Sequence, residues 1–158
     1  MTLIDVYDDT VTHAVLLWQL LAERTPEQSI SHRGMPTAEQ HAAFVRSRPY
    51  RHWYVIEDAG NLVGACYITQ QDEIGIGILH ANKRHGHGRS AVLELMRRHP
   101  GRLLANINPA NAASRALMAQ RMERLREIYK DFLPNDLTRE QLAANLPVIG
   151  IPVATGTL

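Results

Sequence analysis

"EIGIGILHANKRHGHGRS", residues 73–90, decides how this chain is read. It opens as an apolar strand, EIGIGIL, and passes through KRHGHGRS into the helix-forming segment SAVLELMRRH. Glycines at the end of a strand let the backbone turn tightly and approach a ligand closely. The helix that follows offers unpaired N–H groups and the positive end of its dipole. Such an end holds anions, and a pyrophosphate fits it. Lys83, Arg84 and Arg89 add positive charge. The dinucleotide fingerprint G-x-G-x-x-G is absent, because Ser90 and Ala91 follow Gly88 without a third glycine, and the phosphate loop G-x-x-x-x-G-K-[ST] is absent too.

Working outward, HWYVIED and LVGACYIT read as two strands joined through AGN, a hairpin, with EIGIGIL as the third strand of a meander. Upstream, TLIDVY alternates as a short strand. The next segment is a helix capped by Asp9 or Thr10, with Val11, Ala14, Val15, Trp18, Leu21 and Ala22 on one stripe. TPEQSISHRGMP is a loop. Thr37 and Gln40 form a capping box that starts a second helix, ended by Pro49. Downstream, RLLANIN is a strand, and PANAASRALMAQRM is a helix with Asn108 as cap and Pro109 in its first turn. The order β-α-α-β-β-β-α-β-α predicts a three-layer α-β-α domain on a mixed, mostly antiparallel sheet. Residues 1–158 read as one domain, with 122–158 an atypical tail.

The chain has 158 residues, 45% hydrophobic and 21% charged, the profile of a soluble globular domain. Lys+Arg is 17 against 16 Asp+Glu, so no overall charge draws it to nucleic acid or membrane. Cys66 is the one cysteine, which excludes an intramolecular disulfide. The N-terminus lacks the parts of a signal peptide, and no apolar run reaches the roughly 18 residues of a spanning helix. A cytoplasmic protein is the expectation.

The junction matches the pattern Q/R-x-x-G-x-G/A, with Lys83 first, then Gly86 and Gly88. After an amphipathic meander, this resembles the coenzyme A loop of the GNAT N-acetyltransferase superfamily. NINPANAASRALM is similar to that superfamily's later segment, where a strand with asparagines leads into a helix. The resemblance covers roughly residues 1–120 and implies the acyl-CoA N-acyltransferase fold, with acetyl-CoA as co-substrate. The coenzyme contacts it implies are Ile78 and His80 before the loop and Lys83, Arg84, His85, Gly86, His87, Gly88 and Arg89 within it. Ser90 follows at the helix start, and Asn106, Asn111 and Ser114 belong to the later segment. There are departures. Lys83 replaces the usual Arg or Gln, and Arg84 stands where a glycine is frequent. Met118 occupies the place of a proton-donating tyrosine, and the Gly-Phe that follows this helix in the family is missing.

Acyl transfer from a thioester to an amine needs a base for the amine's proton, a donor to the carbonyl, and alignment of the two reactants. The resemblance makes Glu73 the base, with Ile74, Ile76 and Ile78 as an apolar wall raising its pKa. Asp72 would point to the other face. The carbonyl donor would be a main-chain N–H near Ile76 to Ile78. Tyr67 and Tyr129 are the candidate substitutes for the missing tyrosine. The acceptor pocket is expected from Ser29, Ser31, His32, Arg33, Trp53 and Tyr54, with one of the last two turned to the core.

The 8 histidines include His80, His85 and His87 close together, but one cysteine and no H-E-x-x-H argue against zinc, so no metal is expected. His85 and His87 are expected to face phosphates or solvent. The implied activity is transfer of acetyl from acetyl-CoA to a primary amine of a small molecule, an amino sugar or a nucleotide-linked amine. An amine on a modified nucleobase or DNA is the less favoured acceptor, and a non-catalytic acyl-CoA-binding module is a third reading. The apolar stretch PVIGIPVATGTL suggests a homodimer contact.

Overall fold

The computed structural model describes residues 1–28, 34–101 and 103–119. One sheet of four strands, β1 (Thr2–Asp5), β2 (His52–Asp58), β3 (Asn61–Ile68) and β4 (Ile74–Ile78), runs antiparallel in the order β1-β2-β3-β4. Three helices, α1 (Thr10–Ala22), α2 (Ala38–Arg46) and α3 (His87–Arg98), are joined by a fourth, α4, over residues 112–119. Local chemistry sets these elements. The Asp9 carboxylate accepts from Thr12 N at 3.1 Å and starts α1. Thr37 and Gln40 close both bonds of the capping box, at 3.2 and 2.8 Å. Ala59 and Gly60 both take positive φ, 49° and 79°, which gives the β2–β3 hairpin a two-residue turn whose twist suits the strands.

Alternation along the strands divides two apolar cores. Ile56, Ile68 and Ile74 pack against Ala91, Val92 and Leu95 of α3 and Met118 of α4. Trp53, Val55 and Ala65 pack on the other face, against Leu16 and Leu17 of α1 and Val45 of α2. Helices therefore cover both faces, which makes the expected three layers. Each fully buried aliphatic side chain contributes roughly 1.5–3 kcal/mol.

The structure departs from the sequence reading in four places. The stripe expected on α1 is not its buried face: Val11 and Val15 are 81% and 68% exposed, and His13, Leu16 and Leu17 are buried. α1 is apolar nearly all round, so its spacing fits more than one stripe. The phase is fixed by His13, whose Nδ1 lies 3.0 Å from the Val6 carbonyl.

The strand expected at RLLANIN shrinks to one parallel bridge, Glu73 with Leu104. Ile74 N donates to Leu104 O at 2.7 Å, and Leu104 N to Asp72 O at 2.8 Å. Leu103 and Ala105 turn into the α3-side core, and no further pairing follows among the described residues. α4 starts later than Asn108 and Pro109 suggested, because Asn108 Oδ1 closes a tight turn onto Ala110 N (2.9 Å) and Asn111 Oδ1 takes Ser114 N (3.0 Å). α3 begins at His87, ahead of Ser90. Among the described residues no helix is long and apolar enough to cross a membrane.

Candidate functional site

Between β4 and α3 the chain makes a short 3-10 turn, His80–Asn82, and then two residues of left-handed backbone. Arg84 has φ 68° and Gly86 has φ 83°. Arginine thus holds the left-handed geometry that glycine adopts freely, at a cost of about 1–2 kcal/mol. Gly86 is the N-cap of α3 and supplies no side-chain cap. The first hydrogen bond of the helix runs from Ser90 N to Gly86 O at 3.0 Å. The N–H groups of His87, Gly88 and Arg89 precede it and point out of the helix end. No acidic residue occupies this first turn. Arg84, His85, Arg89 and Ser90 are exposed around it, and Lys83 and Gly88 are half-buried. This is an open, positively charged helix terminus.

Two histidines of this segment also have partners elsewhere. His87 turns back toward the β2–β3 hairpin, its Nδ1 4.0 Å from Asp58 Oδ2 and its side chain mostly covered. His80 is held by its backbone: its N–H donates to Glu23 Oε2 at 2.7 Å, and that bond is the main reason the Glu23 carboxyl sits below its usual range. Glu23 was not singled out in the sequence, since nothing local links it to residue 80.

Among the described residues β4 is the edge of the sheet. Its residues alternate their N–H groups between the two sides. Ile74 N points away from β3, to Leu104 O, so Ile76 and Ile78 direct their N–H groups to that same edge. No described residue accepts them. The bridge at Glu73 and Leu104 thus closes one end of this edge, and the rest stays open beside the α3 terminus. A Cβ on Gly88 would lie 3.8–3.9 Å from Ile78, Leu117 and Ile76, so the helix end, β4 and α4 converge there. Asn106, two residues beyond the Leu104 bridge, is half-buried, and its Oδ1 is buried with no hydrogen-bond partner among the described residues. Asn111 and Ser114 are bound to each other as the cap of α4.

Glu73 is half-buried at the start of this edge. Its expected wall of isoleucines is on the opposite face: Ile74, Ile76 and Ile78 pack toward α3, so alternation places Gly75 and Gly77 on the side of Glu73. Asp72 leaves the strand in a turn, with φ 63°, and pairs with Arg51. Met118 is buried in the α3-side core at 3% exposure. Leu117 is the α4 residue nearest Gly88, and neither can donate a proton.

On the α1/α2 face of β4 the missing side chains of Gly75 and Gly77 are replaced by neighbours. A Cβ at Gly75 would overlap Cζ and Oη of Tyr67, and one at Gly77 would meet Leu20 at 3.5 Å. The Tyr50 ring stacks on Tyr67 with centroids 3.9 Å apart and planes 7° from parallel. The Tyr7 ring lies under the Arg48 guanidinium, 4.2 Å from its centroid. Burial pushes the Tyr50 hydroxyl well above the usual phenol range, and raises Tyr7 against the pull of Arg48.

Trp53 and Tyr54 do not line this surface. Trp53 is buried on the α1/α2 side and Tyr54 on the α3 side, its hydroxyl 2.9 Å from His99 Nε2. Tyr7 and Tyr50 were missed because their approach depends on pairing between distant strands. A tyrosine opposite a glycine across β3 and β4 was the available clue. Ser29, Ser31, His32, Arg33 and residues 120–158, including Tyr129 and the apolar tail, lie outside the described residues.

Among the described residues no three His, Cys, Asp or Glu side chains gather as a metal-binding group. Cys66 is buried, its thiol pushed up to about 12 by burial, so it is no nucleophile.

The sequence matches no family model and no curated protein. Solved structures do match. A ribosomal-protein-alanine N-acetyltransferase from Brucella melitensis is 20% identical, with TM-score 0.57 over 77% of this chain and 83% of that one. The yncA protein of Salmonella typhimurium, provisionally named an acetyltransferase and solved with its cofactor acetyl-CoA, is 18% identical, with TM-score 0.55 over 75% of each chain. An N-acetyltransferase from Staphylococcus aureus is 16% identical, with TM-score 0.52 over 77% of this chain and 81% of that one. With its two helix layers, its meander and the open edge of β4 beside α3, the chain has the acyl-CoA N-acyltransferase fold of the GNAT N-acetyltransferases.

Proposed function

We propose that this protein is an acetyl-CoA-dependent N-acetyltransferase acting on a primary amine of a small molecule by direct attack. One observation carries the reading: an acid-free helix terminus with no side-chain cap lies beside a strand edge whose N–H groups no described residue accepts. The backbone amides of His87, Gly88 and Arg89, with Lys83, Arg84 and Arg89, suit the diphosphate of the coenzyme. The Asn106 Oδ1, buried and unpartnered, suits an amide N–H of its arm. The N–H of Ile76 suits the thioester carbonyl oxygen. Glu73 takes the proton that the attacking amine must lose, directly or through a water. The amine nitrogen bonds to the carbonyl carbon, the carbon–sulfur bond breaks, and the thiolate leaves as coenzyme A.

An amino sugar or a nucleotide-linked amine is the acceptor class of this reading. Several cations are already paired, Arg97 and Arg98 with Glu94 and Arg51 with Asp72, and the net charge is +1, which weighs against a nucleic-acid acceptor. Titration calorimetry with acetyl-CoA is the first test, followed by thiol release across a panel of amines. Glu73→Gln should lose turnover near neutral pH while keeping its affinity for acetyl-CoA. An absence of any heat of association would end the proposal, and turnover unchanged in Glu73→Gln would remove the base.

A further inference from the structure

We infer that the Tyr67 hydroxyl is a second donor to the thioester carbonyl oxygen, acting beside the N–H of Ile76. The inference rests on the acetyltransferase reading and concerns how its oxyanion is held. Tyr67 stands on β3, directly opposite Gly75 of β4. The atoms that occupy the space above Gly75 are the far end of the ring, Cζ and Oη. The side chain therefore runs from β3 over β4, with its hydroxyl above Gly75. Ile76, the next residue along, directs its N–H to the edge, where no described residue accepts it.

The ring is locked in this pose. Gly75 lies beneath it and Tyr50 stacks on its other face at 3.9 Å. Tyr50 is wedged in turn by Trp53, whose ring meets it edge-on at 4.8 Å. Burial first, and then the neighbouring Tyr67, holds the Tyr50 hydroxyl in its neutral form. A phenol has one proton to donate and lone pairs to accept with, so the Tyr67 hydroxyl keeps a donor for a group at the edge.

The chemistry balances without a further reactant. As the amine nitrogen bonds to the carbonyl carbon, the carbonyl π pair moves to oxygen. The N–H and the O–H both point at that charge, and neither transfers its proton. The pair returns as the carbon–sulfur bond breaks, the thiolate departs, and the amine proton goes to Glu73. Donors fixed before the reaction stabilise such charge most, since nothing has to reorient.

The test uses the whole protein and [1-13C]acetyl-CoA, without an acceptor, read by infrared difference spectroscopy. In the wild type the labelled carbonyl band should fall to lower frequency on binding, and Tyr67→Phe should recover part of that shift. Gly75→Ala, which keeps the tyrosine but displaces its ring, should do the same. With hydroxylamine as acceptor, Tyr67→Phe should lower kcat about 100-fold and leave the acetyl-CoA Kd within about twofold. Melting curves establish that each variant is folded, and Tyr50→Phe, which preserves the stack, should give a smaller recovery of the band. An identical band in wild type and Tyr67→Phe would overturn this role while leaving the acetyltransferase reading intact, even if kcat fell. Acetyl-CoA that fails to bind the wild type would overturn both.

Discussion

The two ends of α3 are built on opposite plans. At the C-terminal end nearly every polar group has a partner. Arg97 and Arg98 lie in the last turn, where cations suit the dipole, and both bond to Glu94 at 2.7–2.8 Å. Those bonds, Arg97 first, hold the Glu94 carboxyl at about 2. Arg98 Nη1 also donates to the Leu3 carbonyl at 2.9 Å. His99 N closes onto Leu95 O, and its ring stacks on His52 at 3.9 Å. At the N-terminal end there is a glycine, no cap and no acid. The same chain caps α1 with Asp9 and α2 with Thr37, so the fold does not lack the means. A helix satisfied at one end and left open at the other is anchored by the first, and the N–H groups of the second stay available to an outside partner.

Substitutions can break this contrast. Leu95→Ala, in the turn that anchors α3 and 1% exposed, should lower stability by about 3 kcal/mol in urea unfolding, and both ends should loosen together. Arg98→Ala should cost about 1.5 kcal/mol through its charged bond to Leu3 O, with acetyl-CoA affinity unchanged.

A smaller loss should come with acid. Burial, then the charges of His52 and Arg51, keeps His99 below its ordinary pKa, and burial with Arg51 does the same to His52. Folding thus favours the neutral rings. Their contribution is complete above about pH 6.5 and drains away as pH falls from there through the lower folded values. The melting temperature should fall over that window, and His99→Gln should flatten the fall.

At the open end, Gly86→Ala puts a side chain on φ 83° and should cost about 1 kcal/mol while weakening acetyl-CoA binding. The least effect, with opposite sign, is expected of Arg84→Gly. Relief of φ 68° should raise stability by about 0.5–1 kcal/mol, offset in part by the entropy of the added glycine.

Local chemistry was readable from the sequence. The capping box at Thr37, the AGN hairpin, the meander and the glycine junction each depend on residues a few positions apart. The three layers followed from the order of elements. What failed depended on long-range geometry. The rotation of α1 was set by the His13 bond to Val6, which competes with a helix apolar on most sides. The strand expected at RLLANIN is reduced to the Leu104 bridge, whose pairing with Glu73 lies 31 residues away in sequence and could not be read locally. Within the site, Gly86 and the edge N–H groups of β4 were legible from type and spacing. The stack of Tyr50 on Tyr67 was not, since the two rings meet only after β2 and β3 are in register.

The bond from His80 N–H to the Glu23 carboxylate has a wider consequence. Glu23 is the C-cap of α1, whose Leu20 lies over Gly77, and His80 opens the turn that leads to α3. One short link therefore ties the C-terminal end of α1 to the turn that leads into α3. The helix lying over β4 and the approach to the α3 terminus are thus held in register by a single charge-assisted bond, and Glu23→Ala frees each from the other.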